Sequence, residues 1–595
     1  MIFGKHINRY YAKYAPSLLL GLAALILVDY LQLIVPELYR TVINGMNQGF
    51  IVGDGGVSEV FDMDFLLDKV CLPLIGIIIG IVLGRFMWRI CFFGSGIKVE
   101  TDLRARMFDH CKELSQQYYQ VNKVGNLMSL FTNDLETVQN CFSNGILMFC
   151  DALFLGLLAY SKMLRMNMIL ALLSVIPMAL LMSCGFIIGK YMTKKWETRQ
   201  EAFSMLSDFS QEGFAGIAVI KAFVKEGKEL MAFRKLNKLN ENANVEYTRL
   251  SVTLNISVTL LVESVICIIL GYGGYLAYKG IFNAGQLVEF IGYFNSVVWP
   301  VMAVSELINM NSQGKASLKR ISELLDAEID VKDSPDVVDV DSIRGDIEFK
   351  DLTFRYPDGE YDVLTNASFK INAGENVGII GRTGSGKTTV VDLILRSYNV
   401  PDGTVFIDGH DINTLPIKTV RRFCAYVPQD NFLFSDTIDA NIRFASDDST
   451  SLTPEYAAEM AAVDDNIREF SLGYETVLGE RGVTVSGGQK QRISIARALM
   501  KDASILILDD SVSAVDVKTE KAILENLKAL RGGKTTILIA HRVTTIENMD
   551  KIIFVDDGKI LDVGTHSELY DRCNEYRLTV DLQRLESGRE EHINA

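Results

Sequence analysis

Long apolar segments are the feature that most constrains the fold of this chain. Each has close to the roughly 20 residues that an α-helix needs to cross a bilayer. Hydrophobic residues make up 49% of the sequence, and the mean hydropathy of +0.18 is high for a soluble protein. The first 325 residues therefore predict an α-helical transmembrane domain with six spans: Ser17–Ile43, Leu67–Phe93, Gln139–Lys162, Met168–Met192, Leu254–Tyr278 and Leu287–Met310.

The first of these segments has an alternative interpretation as a cleaved signal peptide. Basic residues precede it, and its apolar core is short. The apolar pattern nevertheless continues to Pro36, and no cleavage site with small residues follows. A membrane span is therefore favoured.

Charge predicts the orientation of the spans. The loop Asn44–Asp68 has five acidic residues and no Lys or Arg, whereas 94–140 and 193–253 are rich in both. The positive-inside rule places these two long segments and both termini in the cytoplasm of a multi-pass plasma-membrane protein. Lys162 and Arg165, between the third and fourth spans, are exceptions to this charge bias.

Helical periodicity continues through the two basic segments, which predicts membrane helices that extend into the cytoplasm and turn back. We expect the turns near Gly125–Asp134 and Glu212–Phe223. Within the spans, polar residues have two possible roles, a polar lining to a substrate path or contacts between helices. They are Asp29, Gln32, Asp151, Glu263 and Glu306.

The character of the sequence changes after residue 325. Residues 326–344 are acidic and aperiodic and predict an exposed linker, and 345–580 predict an α/β domain of short strands and helices. Residues 581–595 form a polar tail. The net charge of −15 argues against nucleic acid as a partner. The nine scattered cysteines include no C-x-x-C pair, which excludes a disulfide framework or zinc site of the usual spacing.

A glycine-rich loop lies between a predicted strand and a predicted helix in the second domain. Gly381 to Thr388 fits the pattern G-x-x-x-x-G-K-[ST], in which backbone N–H groups surround a phosphate at the start of the helix. Lys387 is expected to reach the β- and γ-phosphates, and the Thr388 hydroxyl to ligate Mg²⁺. A chance glycine-rich turn is the alternative, and motifs downstream make it less tenable.

Those motifs follow in order along the same domain. Asp509 ends a continuous apolar strand, where α/β sheets hold ligands. Gln429 and His541 each follow a further predicted strand, and Ser486-Gly487-Gly488-Gln489 opens a helix. Each residue alone is more often structural, but the ordered set indicates a nucleotide site.

With these motifs the chain resembles an ATP-binding cassette (ABC) exporter of the half-transporter type, from about Tyr11 to Tyr576. The resemblance implies that Tyr356 stacks on adenine and that Gln429 and Asp509 hold Mg²⁺ with Thr388. It implies that His541 contacts the γ-phosphate, and that the helix opened by Ser486 completes the ATP site of a partner chain. The nucleotide contacts implied are Tyr356, Gly381, Arg382, Thr383, Gly384, Ser385, Gly386, Lys387, Thr388, Thr389, Ser486, Gly487, Gly488, Gln489 and Asp516.

Other segments match the family less closely. Gly479–Gly482 resembles the element that touches the membrane domain in exporters, and the two predicted turns resemble its coupling helices. Val485 replaces the leucine that usually opens the signature sequence.

One departure bears on catalysis. The family normally has glutamate after the strand-ending aspartate, and this chain has Asp510. Asp is shorter by one methylene, roughly 1.5 Å, and misplacing a catalytic group by about 1 Å can cost on the order of 100-fold in rate. The pattern resembles the degenerate-site subunit of a heterodimeric exporter, whose partner half-transporter supplies the glutamate.

The sequence therefore predicts an ATPase coupled to transport by alternating access, with ATP and Mg²⁺ as cofactors and a small, lipophilic or drug-like molecule as substrate. A homodimer with slow turnover is an alternative, as are an ATP-gated regulatory or channel subunit and an uptake transporter on the same fold.

Overall fold

The structure is a computed structural model that describes residues 3–52, 58–446, 452–479, 482 and 485–594. It divides into two compact units. The first comprises Met1–Lys112 and Asn122–Ala327, and the second comprises Glu113–Val121 and Glu328–Ala595.

The first unit is helical apart from a small hairpin. Its elements, with the short helix α6 that belongs to the second unit, are α1 (Asn8–Lys13), α2 (Ala15–Gln32), α3 (Val35–Gln48), β1 (Phe50–Val52), β2 (Ser58–Val60), α4 (Met63–Phe65) leading through a π-helical turn (Leu66–Cys71) into α5 (Leu72–Glu113), α6 (Gln116–Val121), α7 (Val124–Ser129) leading through a second π-helical turn (Leu130–Asp134) into α8 (Leu135–Met166), α9 (Met168–Ala215), α10 (Ile217–Ala222), α11 (Glu226–Tyr278) and α12 (Ala284–Leu325).

Five helical stretches of the described residues are long and apolar enough to cross a membrane, and they include five of the six predicted spans. The remaining predicted span, Met168–Met192, lies in α9, whose apolar segment in the described residues is Met168–Leu180. Helix α11 has 53 residues, or about 80 Å at 1.5 Å per residue. That length far exceeds a bilayer core of about 30 Å, as expected for helices that extend beyond the membrane.

The first turn-back is not where the sequence predicted it. The chain breaks on either side of α6, whereas Gly125–Asp134 is helical and continues into α8. The second turn, at α10, lies within the predicted Glu212–Phe223. Helical periodicity could not show whether the chain turns at α6 or at α7, because both segments are helical.

Lys162, which departs from the charge bias, is paired with an acid. Its ammonium forms an ion pair with Glu37, which also accepts a hydrogen bond from the Tyr293 hydroxyl at 3.0 Å. Tyr293 shares that hydroxyl with Glu289, and Glu289 pairs with Arg40 at 3.0 Å. The charge of Lys162 is thus compensated within the network.

The second unit has two sheets with helices around them. A six-stranded sheet has the order β12-β11-β5-β10-β9-β8, and a four-stranded antiparallel sheet has the order β4-β3-β6-β7. The strands are β3 (Ile347–Phe354), β4 (Leu364–Ile371), β5 (Asn376–Gly381), β6 (Val405–Ile407), β7 (His410–Asp411), β8 (Cys424–Val427), β9 (Ile505–Asp509), β10 (Thr535–Ile539), β11 (Lys551–Asp556) and β12 (Lys559–Gly564).

Apolar side chains from the large sheet form cores on both of its faces. The helices of the unit are α13 (Lys387–Ile394), α14 (Ile417–Phe423), α15 (Ile438–Arg443), α16 (Pro454–Met460), α17 (Asp464–Arg468), α18 (Gly487–Met500), α19 (Val517–Leu530), α20 (Val543–Ile546), α21 (His566–Arg572) and α22 (Asn574–Asn594), with 3₁₀ turns at Ile412–Thr414 and Gly473–Glu475.

The two segments predicted as linker and tail make contacts within the second unit. Residues 328–344 belong to the second unit, and Asp333 accepts a hydrogen bond from the backbone N–H of Ile417 at 2.8 Å and pairs with Arg396 at 3.4 Å. The polar tail begins inside helix α22. Of Gly479–Gly482, residues 480 and 481 lie outside the described residues.

Candidate functional site

The large sheet brings four separated motifs to one edge. Strands β8, β9, β10, β5 and β11 are parallel, so their carboxyl ends meet. Ile539 pairs with both Asp509 and Ile379, and Val427 pairs with Leu508. The glycine-rich loop after β5, Gln429 after β8, Asp509 at the end of β9 and His541 after β10 therefore lie at the same edge.

The glycines of the loop serve two different needs. A Cβ on Gly381 would collide with the carbonyl oxygen of Val555 on the neighbouring strand, so this glycine is required by packing. Gly384 and Gly386 have φ of +82° and +96°, a conformation that glycine adopts without steric cost. The loop conformation thus depends on glycine at all three positions.

The Lys387 side chain lies inside the glycine-rich loop. Its ammonium donates hydrogen bonds of 2.8 Å to the carbonyl oxygens of Gly381 and Arg382. Burial lowers the pKa of Lys387, and the nearby carboxylates of Asp509 and Asp510 oppose that shift. The structure therefore holds a cation at the centre of the loop, whereas Arg382 and Thr383 are exposed.

Two buried oxygens near this cation have no hydrogen-bond partner among the described residues: Ser385 Oγ and Asp509 Oδ2. Burial raises the pKa of Asp509, the Thr388 hydroxyl beside it has the opposite effect, and Asp510 adds to the increase. The described residues contain no group of three or more His, Cys, Asp or Glu side chains that could hold a metal ion. Mg²⁺ commonly takes one or two carboxylates together with substrate phosphates, so Thr388 and Asp509 fit a metal carried in by a nucleotide.

Asp510 is fixed by its backbone. Its φ is +47°; its N–H donates to the carbonyl of Ile539 at 3.1 Å, and its carbonyl accepts hydrogen bonds from Ser513 Oγ at 2.9 Å and Gln491 Nε2 at 3.4 Å. The buried Gln491 also accepts from the Ala514 N–H at 3.1 Å. Sequence reasoning missed Gln491, which joins α18 to the segment after β9.

Gln429 and His541 have exposed side chains. The backbone around His541 is held by Gln583 of α22, whose amide donates to the His541 carbonyl at 2.7 Å and accepts from the Val543 N–H at 2.8 Å. Gln583 lies in the predicted tail, where no local pattern indicated a contact.

Tyr356 has a packing role in the structure. Its hydroxyl shares a hydrogen bond of 2.9 Å with Thr389 Oγ1, and its ring meets the ring of Tyr398 edge-on at 4.9 Å. Tyr398 in turn donates to Gln120 of α6 at 2.9 Å. A continuous set of contacts therefore joins the start of α13 to the short helix α6.

Ser486 and Gln489 cap α18 reciprocally, with hydrogen bonds of 3.2 and 2.9 Å between each side chain and the other's backbone N–H. Ser486 and Gly487 remain exposed. Gly488 packs beside the carbonyl of Ala514, and Asp516 caps α19 through the Thr519 N–H at 3.0 Å. These residues therefore have structural roles within the chain and also form an exposed helix start.

Asp392, on α13, makes the stability of the protein depend on pH. Burial, followed by the charge of Asp509, raises the pKa of Asp392 to about 6, so the native state binds this proton more tightly than the unfolded state. Ionisation of Asp392 therefore lowers the free energy of unfolding, an effect that is fully present at pH 8 and absent below about pH 4. We expect Asp392→Asn to stabilise the protein at pH 8 by on the order of 1–3 kcal/mol, with the gain shrinking as the pH falls through 6.

Thermal unfolding of the purified protein at pH 8 and pH 5 measures this difference. Asp336→Asn, at an exposed position, is the matched control. An equal effect of Asp392→Asn at both pH values would contradict the assignment.

Two family models match the chain. The model for the ABC transporter transmembrane region matches residues 18–301, and the ABC transporter model matches residues 364–513. The two matches lie in the first and second units respectively.

Curated relatives match over nearly the full length. "Probable multidrug resistance ABC transporter ATP-binding/permease protein YheI" of Bacillus subtilis is 34% identical over 588 residues, which are 99% of this chain and 98% of the relative. "Multidrug resistance-like ATP-binding protein MdlA" of Escherichia coli is 32% identical, and the match covers 97% of each chain.

A solved structure also matches, one described as "Structure of a bacterial Atm1-family ABC exporter with ATP bound". It has a TM-score of 0.76 and 25% identity and covers 97% of this chain and 98% of its own.

Proposed function

This chain belongs to the ABC transporter family, and we propose that it is one half of a heterodimeric exporter whose own ATP site hydrolyses ATP poorly. The ABC exporter fold, the ATP-binding domain and the multidrug-type relatives establish an ATPase coupled to transport. The proposal adds the roles of the residues, the partner and the direction of transport.

In this proposal the glycine-rich loop surrounds the phosphates of ATP. Lys387 exchanges its two backbone carbonyl contacts for the β- and γ-phosphates, since its ammonium already lies at the centre of the loop. Thr388, Asp509 and Gln429 hold Mg²⁺, and His541 contacts the γ-phosphate. Tyr356 contacts adenine with the part of its ring that does not pack on Tyr398.

The proposal that this chain's own site hydrolyses ATP slowly rests on Asp510. Three hydrogen bonds fix its backbone after β9, so a shift of the chain cannot readily make up for the missing methylene. A base set back by about 1 Å is expected to lose on the order of 100-fold in rate.

Two exposed features support a partner chain. The start of α18, at Ser486 and Gly487, faces solvent in this chain and is a good anion site because of the helix dipole. The turn at α10 exposes the apolar residues Phe214, Val219 and Phe223 by 61–77%. Exposed apolar patches of this kind often mark interaction surfaces; in the proposal, a partner's nucleotide domain covers this one.

The cycle follows from these contacts. Two nucleotide domains close on ATP between one chain's loop and the other chain's α18, and closure turns the membrane helices outward. Hydrolysis removes the γ-phosphate contacts and reopens the pair. The drug-resistance names of the relatives favour a small, lipophilic substrate.

Transport into inside-out vesicles tests the exporter proposal. The vesicles contain this chain together with a half-transporter that has Asp-Glu at the positions of Asp509-Asp510. We expect ATP-dependent accumulation of a lipophilic fluorescent dye. ATP-dependent loss of preloaded dye from these vesicles, without accumulation, would indicate uptake and contradict export.

Orientation gives a further prediction. In intact cells, a membrane-impermeant thiol reagent should label Glu59→Cys, in the acidic loop, and should label Lys228→Cys only after permeabilisation. Both positions are exposed, so access depends on the side of the membrane. The unsubstituted protein gives the background from native cysteines, and the reverse pattern would overturn the orientation.

Because Tyr398 contacts α6, we expect a substitution at Tyr398 to reduce the coupling of ATP hydrolysis to transport. Tyr398→Phe keeps the ring packing on Tyr356 but removes the hydrogen bond to Gln120. One such bond contributes about 0.5–1.5 kcal/mol, so we expect dye transported per ATP hydrolysed to fall roughly 2- to 10-fold while ATP binding is unchanged. Tyr361→Phe, at a 75% exposed position, is the control; an unchanged ratio in Tyr398→Phe would show that this bond carries no coupling.

A further inference from the structure

A cavity of about 450 Å³ in the membrane unit collects polar side chains from four helices. It is lined by four of the five polar span residues singled out in the sequence, all except Glu263. They come from α2, α8 and α12, while α5 contributes further charged and aromatic side chains. The charged residues of the lining are Asp29, Asp151, Glu306, Arg85 and Arg89.

Asp29 is the most unusual member of this lining. Asp29 is only 2% exposed, and its Oδ2 has no hydrogen-bond partner among the described residues. An unsatisfied carboxyl oxygen in a membrane span is costly, and acidic residues in such spans usually face a pathway or a ligand.

The neighbours of Asp29 leave its Oδ2 without a partner among the described residues. The carboxyl group of Asp29 is hydrogen-bonded to that of Asp151, and two carboxyl groups in contact require a proton or a cation between them. Asp151 is itself held by the Trp299 indole N–H at 2.8 Å. Arg85, on α5, donates a hydrogen bond to Gln32 at 3.5 Å and forms no ion pair among the described residues.

The rest of the lining suits a ligand with an apolar or aromatic body. Trp88 and Trp299 offer indole rings, and aliphatic side chains such as Leu25 and Leu147 complete the walls. Three carboxyl groups and two guanidinium groups line the cavity, so one cation that takes the place of the proton between Asp29 and Asp151 balances their charge. The faces of indole rings also attract cations.

We propose that this cavity binds lipophilic ligands through a protonated amino group that donates an N–H hydrogen bond to Asp29. The inference rests on the proposed function, because a transported substrate must enter the membrane unit. It specifies the ligand further than charge alone does: an unpartnered oxygen requires a hydrogen-bond donor, which a protonated tertiary amine has and a quaternary ammonium lacks.

A matched pair of probes tests this distinction. N,N-dimethyl-1-naphthylmethylamine is protonated at pH 7, and its N-methylated quaternary analogue has the same charge and ring without the N–H. A hydrogen bond to a charged group contributes about 1.5–3 kcal/mol. Equilibrium binding to the transporter in lipid nanodiscs should therefore show at least roughly tenfold tighter binding of the amine.

The variants distinguish Asp29 from general charge effects. Asp29→Asn should weaken amine binding about tenfold or more and bring the two probes close together, while Glu263→Gln, a span carboxylate outside the cavity, should change neither. Arg85→Gln should tighten binding of both probes to a similar extent, because it removes a nearby positive charge. The comparison of the two probes on the unsubstituted transporter keeps the test decisive if Asp29→Asn fails to fold.

Equal affinities of the two probes for the unsubstituted transporter would overturn the inference, as would amine affinity unchanged by Asp29→Asn. ATP-dependent dye accumulation by inside-out vesicles that contain the same unsubstituted transporter tests the proposed function separately. If accumulation is present and the amine preference is absent, only the inference fails; if accumulation is absent, the exporter proposal fails whatever the probes show.

Discussion

Lys387→Ala is expected to reduce ATP binding at this chain's own site by on the order of 100-fold or more. The ammonium is buried at the centre of the loop and would exchange two backbone carbonyls for two phosphates. Hydrogen bonds between charged groups contribute about 1.5–3 kcal/mol each, and 1.4 kcal/mol corresponds to a factor of ten. Arg382 is 81% exposed at its side chain and is not placed to replace this cation.

Photolabelling by an ATP analogue, quantified on this chain alone, measures the effect. Arg382→Ala removes a positive charge from the same loop without reaching its centre, and it should lower labelling only slightly. Undiminished labelling of Lys387→Ala would contradict the role of Lys387.

The second large effect is expected from α18. Ser486→Arg should nearly abolish steady-state ATP hydrolysis by the natural complex, because a bulky cation would fill the phosphate site offered to the partner chain. The change also removes a helix cap worth about 1 kcal/mol. Thr565→Arg is the matched control, since Thr565 forms the same kind of capping box at the start of α21; it should leave hydrolysis nearly intact.

Changes at Asp510 should have small effects on the same complex. Asp510→Asn should lower hydrolysis only modestly, since this site contributes little to turnover. Asp510→Glu should raise it by restoring reach to the attacking water, because the backbone is already held in place. A larger loss from Asp510→Asn than from Ser486→Arg would contradict the asymmetry between the two ATP sites.

The sequence predicted the parts of the fold that local pattern determines. Apolar length predicted helices able to cross a membrane, and the structure confirms five of the six predicted spans. The continuous apolar strand ending in Asp509 and the loop before Lys387 predicted the sheet edge where these groups meet, because parallel strands share one carboxyl end. The comparisons confirm the ABC exporter family that these motifs indicated.

Contacts between residues far apart in the sequence were not predictable. The hydrogen bond between Tyr398 and Gln120 spans 278 positions, and Gln583 reaches the His541 backbone from a segment that looked like a tail. The first turn-back was placed wrongly because α6 and α7 have the same helical pattern. The carboxyls of Asp29 and Asp151 were each ambiguous in the sequence, and only packing of the helices shows that they share a cavity.

The asymmetry of the two ATP sites is tested by measuring ATP hydrolysis by this chain purified alone and by the chain purified with a partner that has the Asp-Glu pair. We expect weak hydrolysis by the chain alone and robust hydrolysis by the pair, with only a modest loss when the pair contains Asp510→Asn. Robust hydrolysis by the chain alone that is lost on Asp510→Asn would contradict this asymmetry, since Asp510 would then be a working base and no second half-transporter would be needed.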